Sequence, residues 1–224
     1  MDKLVCVGKN YSEHAKEMNQ LQGDALGAKP VLFIKPPSIL RVAGSVGKSL
    51  ELRIPPDSGE LHHECEIVLR VNRDGYRLSL LEAEAAIEAV TLGLDMTLRE
   101  RQALLKKQGQ PWEISKTFLD SAVIGPWIAV RDFPDFMDEP FSFSLDGKVR
   151  QQGRGKEMTL KPAECVAYIS EHFPLRAGDL IYTGTPAGVG PVTPGQAGEL
   201  RWGSRLHYQV SWKRYESWSS WSWL

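Results

Sequence analysis

The stretch Leu61-His62-His63-Glu64-Cys65-Glu66-Ile67-Val68-Leu69-Arg70-Val71 carries the decisive pattern of this chain. From Cys65 onward, Ile67, Val68 and Leu69 supply the β-branched and aliphatic bulk of a strand. Side chains alternate faces along a strand, so His62, Glu64 and Glu66 share one face and Cys65, Ile67 and Leu69 the other. Two carboxylates then lie side by side, roughly 7 Å apart at Cα, in a segment apolar enough to be buried. If their oxygens converge to about 4 Å, repulsion at an effective dielectric near 20 is on the order of 4 kcal/mol, a large part of a typical folding stability of about 5–15 kcal/mol. Such a pair needs compensation: one carboxylate is protonated, a lysine or arginine lies across both, or a metal ion does. The plainer alternative is an edge strand with its acidic face in water. A further acid, Asp95, and a lysine, Lys116, lower the weight of that alternative.

Downstream, Ser79 and Glu82 have the spacing of a capping box, opening a helix expected to reach about Val90, with Thr91 to Leu94 as a short buried strand ending at Asp95. Thr97 and Glu100 repeat the capping-box spacing. The helix they open carries Arg99 and Gln102, three residues apart on one face. A helix N-terminus beside an arginine suits an anion such as a carboxylate. The alternative is that Arg99 pairs with Glu64 or Glu66 in a structural ion network. After Pro111-Trp112, the stretch Ile114 to Phe118 is mostly apolar around one lysine, Lys116, and a lone lysine in such company ordinarily snorkels outward.

Upstream, Leu4 to Val7 is a short strand ending at Gly8. Asn10 with Glu13 has capping-box spacing for a helix on which His14 and Glu17, three residues apart, can hydrogen-bond so that the carboxylate orients the imidazole. An ordinary surface pair is the plainer reading of those two. Residues 19–29 have the look of a loop over a site, and Val31 to Lys35 is a strand stopped by Pro36-Pro37. The second half is mainly strands. Asp146-Gly147 marks a hairpin, Leu160 to His172 a helix, and Leu180 to Tyr182 a buried strand delivering Thr183-Gly184-Thr185-Pro186-Ala187-Gly188-Val189-Gly190-Pro191. That loop lacks the lysine and following helix of a phosphate loop, so nucleotide binding is not expected. Its glycines let backbone amides and Thr185 approach a small anion.

With 224 residues and a formal net charge of -1, the chain is long enough for one sizeable core and has no basic excess for nucleic acid. No apolar run approaches a membrane span, and the N-terminus lacks signal-type features. Cys6, Cys65 and Cys165 are odd in number and widely spaced, which suits a reducing cytoplasm, and no CxxC or HExxH spacing points to zinc.

The ordered set GKNYSEHAKE (8–17), FIKP (33–36), HHECE (62–66), LDMTLRERQ (94–102), PWEISK (111–116) and TGTPAGVGP (183–191) resembles the fumarylacetoacetate hydrolase family, closest to its short single-domain acylpyruvase and oxaloacetate-handling branch. The resemblance covers about residues 3–210. It implies an α+β, β-rich roll with peripheral helices, assembled as a homodimer, with residues 1–210 as one catalytic domain. By position it makes Glu64, Glu66 and Asp95 ligands of Mg2+ or Mn2+, a choice that hard oxygen donors fit. It makes His14 and Glu17 the pair that activates water or moves protons, and Lys116 an active-site cation. Arg99, Gln102 and Thr185 become contacts to a small 2-oxo acid substrate. The leading expectation is hydrolysis of an acylpyruvate such as fumarylpyruvate to pyruvate and an acid. Oxaloacetate decarboxylation or keto–enol tautomerisation is the alternative, and a non-catalytic dicarboxylate-binding relative is the alternative of another class. Residues 211–224, with Trp212, Trp218, Trp221 and Trp223, form a Trp-rich tail outside the resemblance, with no catalytic role expected.

Overall fold

The computed structural model describes residues 1–11, 30–44, 49–56 and 58–215. Within them the first half contains β1 (Leu4–Gly8), β2 (Val31–Lys35), β3 (Leu40–Val42), β4 (Ser49–Ile54), β5 (Leu61–His63), β6 (Cys65–Val71), α1 (Leu80–Ala86), β7 (Ile87–Asp95), β8 (Thr97–Leu98), α2 (Arg99–Lys107) and α3 (Glu113–Lys116). The second half adds β9 (Ala122–Ile124), β10 (Ile128–Ala129), β11 (Phe141–Leu145), β12 (Lys148–Gly153), α4 (Pro162–His172), β13 (Leu180–Tyr182), β14 (Gly190–Val192), β15 (Ala197–Trp202) and β16 (Leu206–Arg214). The architecture is the strand-rich α+β one expected.

The largest sheet runs β2-β1-β13-β6-β7-β9-β3, with β10 also paired to β7. A second sheet runs β12-β11-β15-β16-β4, and a small third one β14-β5-β8. Strand β6 is central and buried on both faces apart from Arg70, which explains its near-continuous apolar run. The core joins the facing sheets through Phe141, Phe143, Trp202 and Tyr208 on one side and Ile67, Leu69 and Leu92 on the other.

Several local expectations hold. The Ser79–Glu82 capping box forms, with both reciprocal bonds present. Leu145 pairs with Lys148 across Asp146-Gly147, both at positive φ, as a two-residue hairpin requires. Helix α4 buries Val166 and Ile169.

Others are corrected. Helix α1 ends at Ala86 rather than near Val90, and the chain passes directly into the nine-residue strand β7. The β-branched Ile87, Val90 and Thr91 find antiparallel partners in β6 (Val71, Leu69 and Val68), and ladder pairing outweighs the helical spacing; within α1, Leu81 lies exposed. The Thr97–Glu100 capping box does not form: Thr97 belongs to β8, and Leu98 sits at the N-cap of α2 with no side-chain cap. The side chain of Asn10 donates to the carbonyls of Leu160 and Thr183 and accepts from Leu160 N, and the helix expected to start beside it lies outside the described residues. Strand β16 continues to Arg214, beyond the expected limit at 210, parallel to β4. Trp212 is therefore a buried core residue, edge-on to Phe143 at 6.5 Å. Trp218, Trp221 and Trp223 lie outside the described residues.

Candidate active site

Glu64 occupies the single residue between β5 and β6, and Asp95 ends β7 one residue before β8. Strands β5 and β8 belong to the small sheet and β6 and β7 to the large one, so both acids sit where the chain crosses from one sheet to the other. Asp95 N donates to Glu64 O at 2.9 Å, locking the two crossings together. Glu66 follows within β6. One oxygen from each of Glu64, Glu66 and Asp95 lies within 4.8 Å of the others, and all three residues are buried. The convergence inferred for Glu64 and Glu66 is present and includes Asp95.

The charges are met from three sides. Lys116 does not snorkel: at the end of α3 it turns inward, 2.7 Å from Glu64 Oε2, 2.6 Å from Asp95 Oδ2 and 2.7 Å from Thr97 Oγ1. Arg99 Nη2 lies 2.5 Å from Glu64 Oε1, while Nη1 donates to Gln102 Oε1 at 2.7 Å. The ion pairing weighed for Arg99 thus exists beside its place in the site. Lys35 Nζ lies 2.5 Å from Asp95 Oδ1 and donates to the carbonyl of Ser121 at 2.6 Å. Burial opposes the charge on Lys116, but Asp95 and Glu64 outweigh it and hold the ammonium above the ordinary lysine value. Glu66 is pushed well above the carboxylate range, first by burial and then by Asp95 and Glu64. Gly184 N donates to Glu66 Oε2 at 2.7 Å. Gly184 is held at φ +97, where a Cβ would crowd Asn10 and Val7 O, so only glycine brings its amide to that oxygen.

Lys35 had no assigned role, although alternation in β2 places it on the same buried face as Phe33. Gln151 carried no sequence signal. Its Oε1 accepts from Cys65 N at 3.0 Å and lies 2.9 Å from His63 Nδ1; its Nε2 donates to Thr185 Oγ1 at 2.7 Å and Pro186 O at 2.9 Å. Burial lowers the His63 imidazole to about 4, so the ring is neutral at pH 7, with its proton on Nδ1 facing Gln151. The expected anion site at the start of α2 is already partly used, since Arg99 N donates to Glu60 O.

Glu64, Glu66, Asp95, Arg99, Gln102, Lys116 and Thr185 line one cavity, together with Lys9, Phe33, Lys106 and Trp112. His14 and Glu17 lie outside the described residues. Counted with every group ionised, the three acids and three paired cations of the inner site sum to zero formal charge. The oxygen donors suit a hard divalent cation, and adding one raises that charge to +2, complementary to a dianion. Among the described residues, no helix is long and apolar enough to cross a membrane.

Residues 3–211 match the family described as fumarylacetoacetate (FAA) hydrolase C-terminal. An oxaloacetate tautomerase of Escherichia coli K12 is 39% identical over 196 residues, 87% of this chain and 85% of that protein. A mitochondrial oxaloacetate decarboxylase of Dictyostelium discoideum is 36% identical over 194 residues, 87% of this chain and 85% of its own length. The fold superposes on the crystal structure of Pseudomonas aeruginosa fumarylpyruvate hydrolase with Mn2+ and pyruvate at a TM-score of 0.87 and 33% identity, covering 95% of this chain and 90% of that one. With an acidic triad in place and a match spanning nearly all the described sequence, the chain belongs to the fumarylacetoacetate hydrolase family.

Proposed function

We propose that the chain is a divalent-metal-dependent enzyme acting on a small 2-oxo dicarboxylic acid, with keto–enol tautomerisation of oxaloacetate as its leading reaction. The observation that carries this reading is the buried Glu64–Glu66–Asp95 triad, balanced by Lys35, Arg99 and Lys116. Glu64, Glu66 and Asp95 would hold Mg2+ or Mn2+, which when bound supplies Lewis-acid polarisation of a 2-oxo oxygen. The names of the two enzyme relatives from E. coli and D. discoideum support oxaloacetate over the acylpyruvate reading that led on sequence.

The chain's own residues have definite tasks in this chemistry. Lys116 keeps its proton and places positive charge where the substrate oxygen becomes negative as C3 loses a proton. Arg99, through Gln102 and Glu64, is fixed to receive a carboxylate, and Lys9 and Lys106 extend the positive lining toward the second one. His14, oriented by Glu17, is proposed to carry the proton between C3 and the C2 oxygen. Loss of carbon dioxide from the same bound acid would give decarboxylation.

Acylpyruvate hydrolysis stands as the second reading, favoured by the likeness to fumarylpyruvate hydrolase. The resemblance also supports a homodimer, to be checked by light scattering. Three free, buried thiols support a reducing compartment.

The deciding experiment offers oxaloacetate, fumarylpyruvate and acetylpyruvate to protein loaded with Mg2+ or Mn2+, following enol absorbance and pyruvate. Accelerated loss of the oxaloacetate enol without pyruvate is the expected result. Pyruvate from oxaloacetate would make it a decarboxylase, and faster cleavage of an acylpyruvate would restore the hydrolase reading. No turnover of any of them would overturn the proposal.

A further inference from the structure

The hairpin β11–β12 is closed by a two-residue turn that pairs Leu145 with Lys148. Counting back in plain register, Phe143 would face Arg150, and Gln151 would fall opposite the outward-facing Ser142. Instead the register slips by one between Phe143 and Ser144, Phe143 pairs with Gln151, and Arg150 is left as the extra residue of a β-bulge. Because side chains alternate, that one residue moves Gln151 from the solvent face to the interior, where it is 1% exposed. The bulge also seats the neighbouring loop, since Gly188, at φ +93, packs so closely on Arg150 O that no Cβ would fit.

Turned inward, Gln151 uses its whole amide. Its oxygen takes Cys65 N and His63 Nδ1, the groups on either side of Glu64, and its nitrogen donates to Thr185 and Pro186 in the glycine-rich loop. Thr185 Oγ1 donates in turn to Cys65 O at 2.8 Å, closing a ring of three hydrogen bonds. The Thr185 proton is thereby committed to the protein, so the position of Thr185 is set by Gln151 rather than by a ligand.

Building on the proposed metal-dependent function, we infer that Gln151 is a positioning residue, which ties the backbone carrying Glu64 to the loop carrying Thr185 and sets both for metal and 2-oxo acid. Outer partners of metal ligands matter in this way because they fix ligand orientation before the ion arrives.

The test uses the full chain, with Mn2+ affinity measured by paramagnetic resonance of the free ion and pyruvate affinity measured on the Mn2+-loaded protein by calorimetry. Gln151→Met, similar in size but without the amide, is expected to weaken Mn2+ binding about 10–100-fold. Tyr208→Phe serves as the control, since it removes a buried hydrogen bond to Leu92 O outside the site and should lower thermal stability without changing Mn2+ affinity. Gln151→Glu keeps an acceptor for Cys65 and His63 but loses the donors to Thr185 and Pro186. It should hold Mn2+ within about threefold of wild type while weakening pyruvate about tenfold. Wild-type Mn2+ and pyruvate affinities in both Gln151 variants would overturn the positioning role and leave the proposed function standing. If Gln151→Met does not fold, Gln151→Glu decides alone. Wild-type protein that bound no Mn2+ would overturn both.

Discussion

Lys35 and Lys116 grip Asp95 by different oxygens, Lys35 at 2.5 Å from Oδ1 and Lys116 at 2.6 Å from Oδ2, with all three side chains nearly inaccessible to water. The carboxylate is thus fixed in rotation by two cations from separate elements, β2 and α3.

Removing one partner of a buried pair leaves the other charge uncompensated, a loss of about 3–5 kcal/mol. Because Lys116 still pairs with the other Asp95 oxygen, Lys35→Met is expected to destabilise by up to that much in denaturant titration, with an unchanged slope. In a double-mutant cycle, adding Asp95→Asn should cost less than its effect alone, because the orphaned charge is gone.

Lys116 has a different signature, because it contacts the same carboxylates that would bind a cation. Lys116→Met should retain or tighten Mn2+ binding while turnover falls about 10²–10³-fold, the scale of losing one donor to developing negative charge. Weaker metal binding with normal turnover would contradict its placement. Calorimetry and steady-state rates on the same preparation make the comparison.

Asp179 ties down the start of the chain, accepting from Asp2 N, Lys3 N, Lys3 Nζ and Arg176 N. Burial opposes its charge, but Lys3 and these amides outweigh it and hold the carboxyl below its usual range. The folded state therefore binds this proton less readily than the unfolded one. Its stabilisation is complete above the ordinary aspartate value near 4 and is lost as pH falls through the depressed native value. Asp179→Asn should lower stability at pH 7 by about 1.5–3 kcal/mol and flatten this part of the acid limb, read from urea midpoints between pH 2 and 6.

Trp212 packs against Phe143 at the place where Gly198 leaves room for the indole. Trp212→Ala should cost about 3–5 kcal/mol, visible as a lowered denaturation midpoint. A neutral effect would return Trp212 to the tail in which its sequence context had placed it.

These residues show what was legible and what was not. The acidic pair was readable because alternation and apolar flanks are local properties of eleven residues. Ser79–Glu82 and Asp146-Gly147 were readable because a cap and a turn are complete within four. The passage from α1 into β7 was hidden, since Ile87 and Val90 satisfy a helical spacing and only β6 makes them a strand. Lys116 alone among apolar residues pointed outward until Glu64 and Asp95 supplied partners 52 and 21 positions away. Gln151 depended on a register slip, and no property of its own segment reveals one.

The crossings at Glu64 and Asp95 have a mechanical consequence. The large and small sheets meet along a seam there, and a seam is where two stiff bodies part most easily. An ion held by Glu64, Glu66 and Asp95 would act as a rivet through that seam, joining β5 and β8 to the frame of β6 and β7. Loading should then slow amide exchange across the small sheet, at Leu61–His63, Thr97–Leu98 and Val192, toward the rate of the large one, so that rigidity itself reports whether the centre is filled.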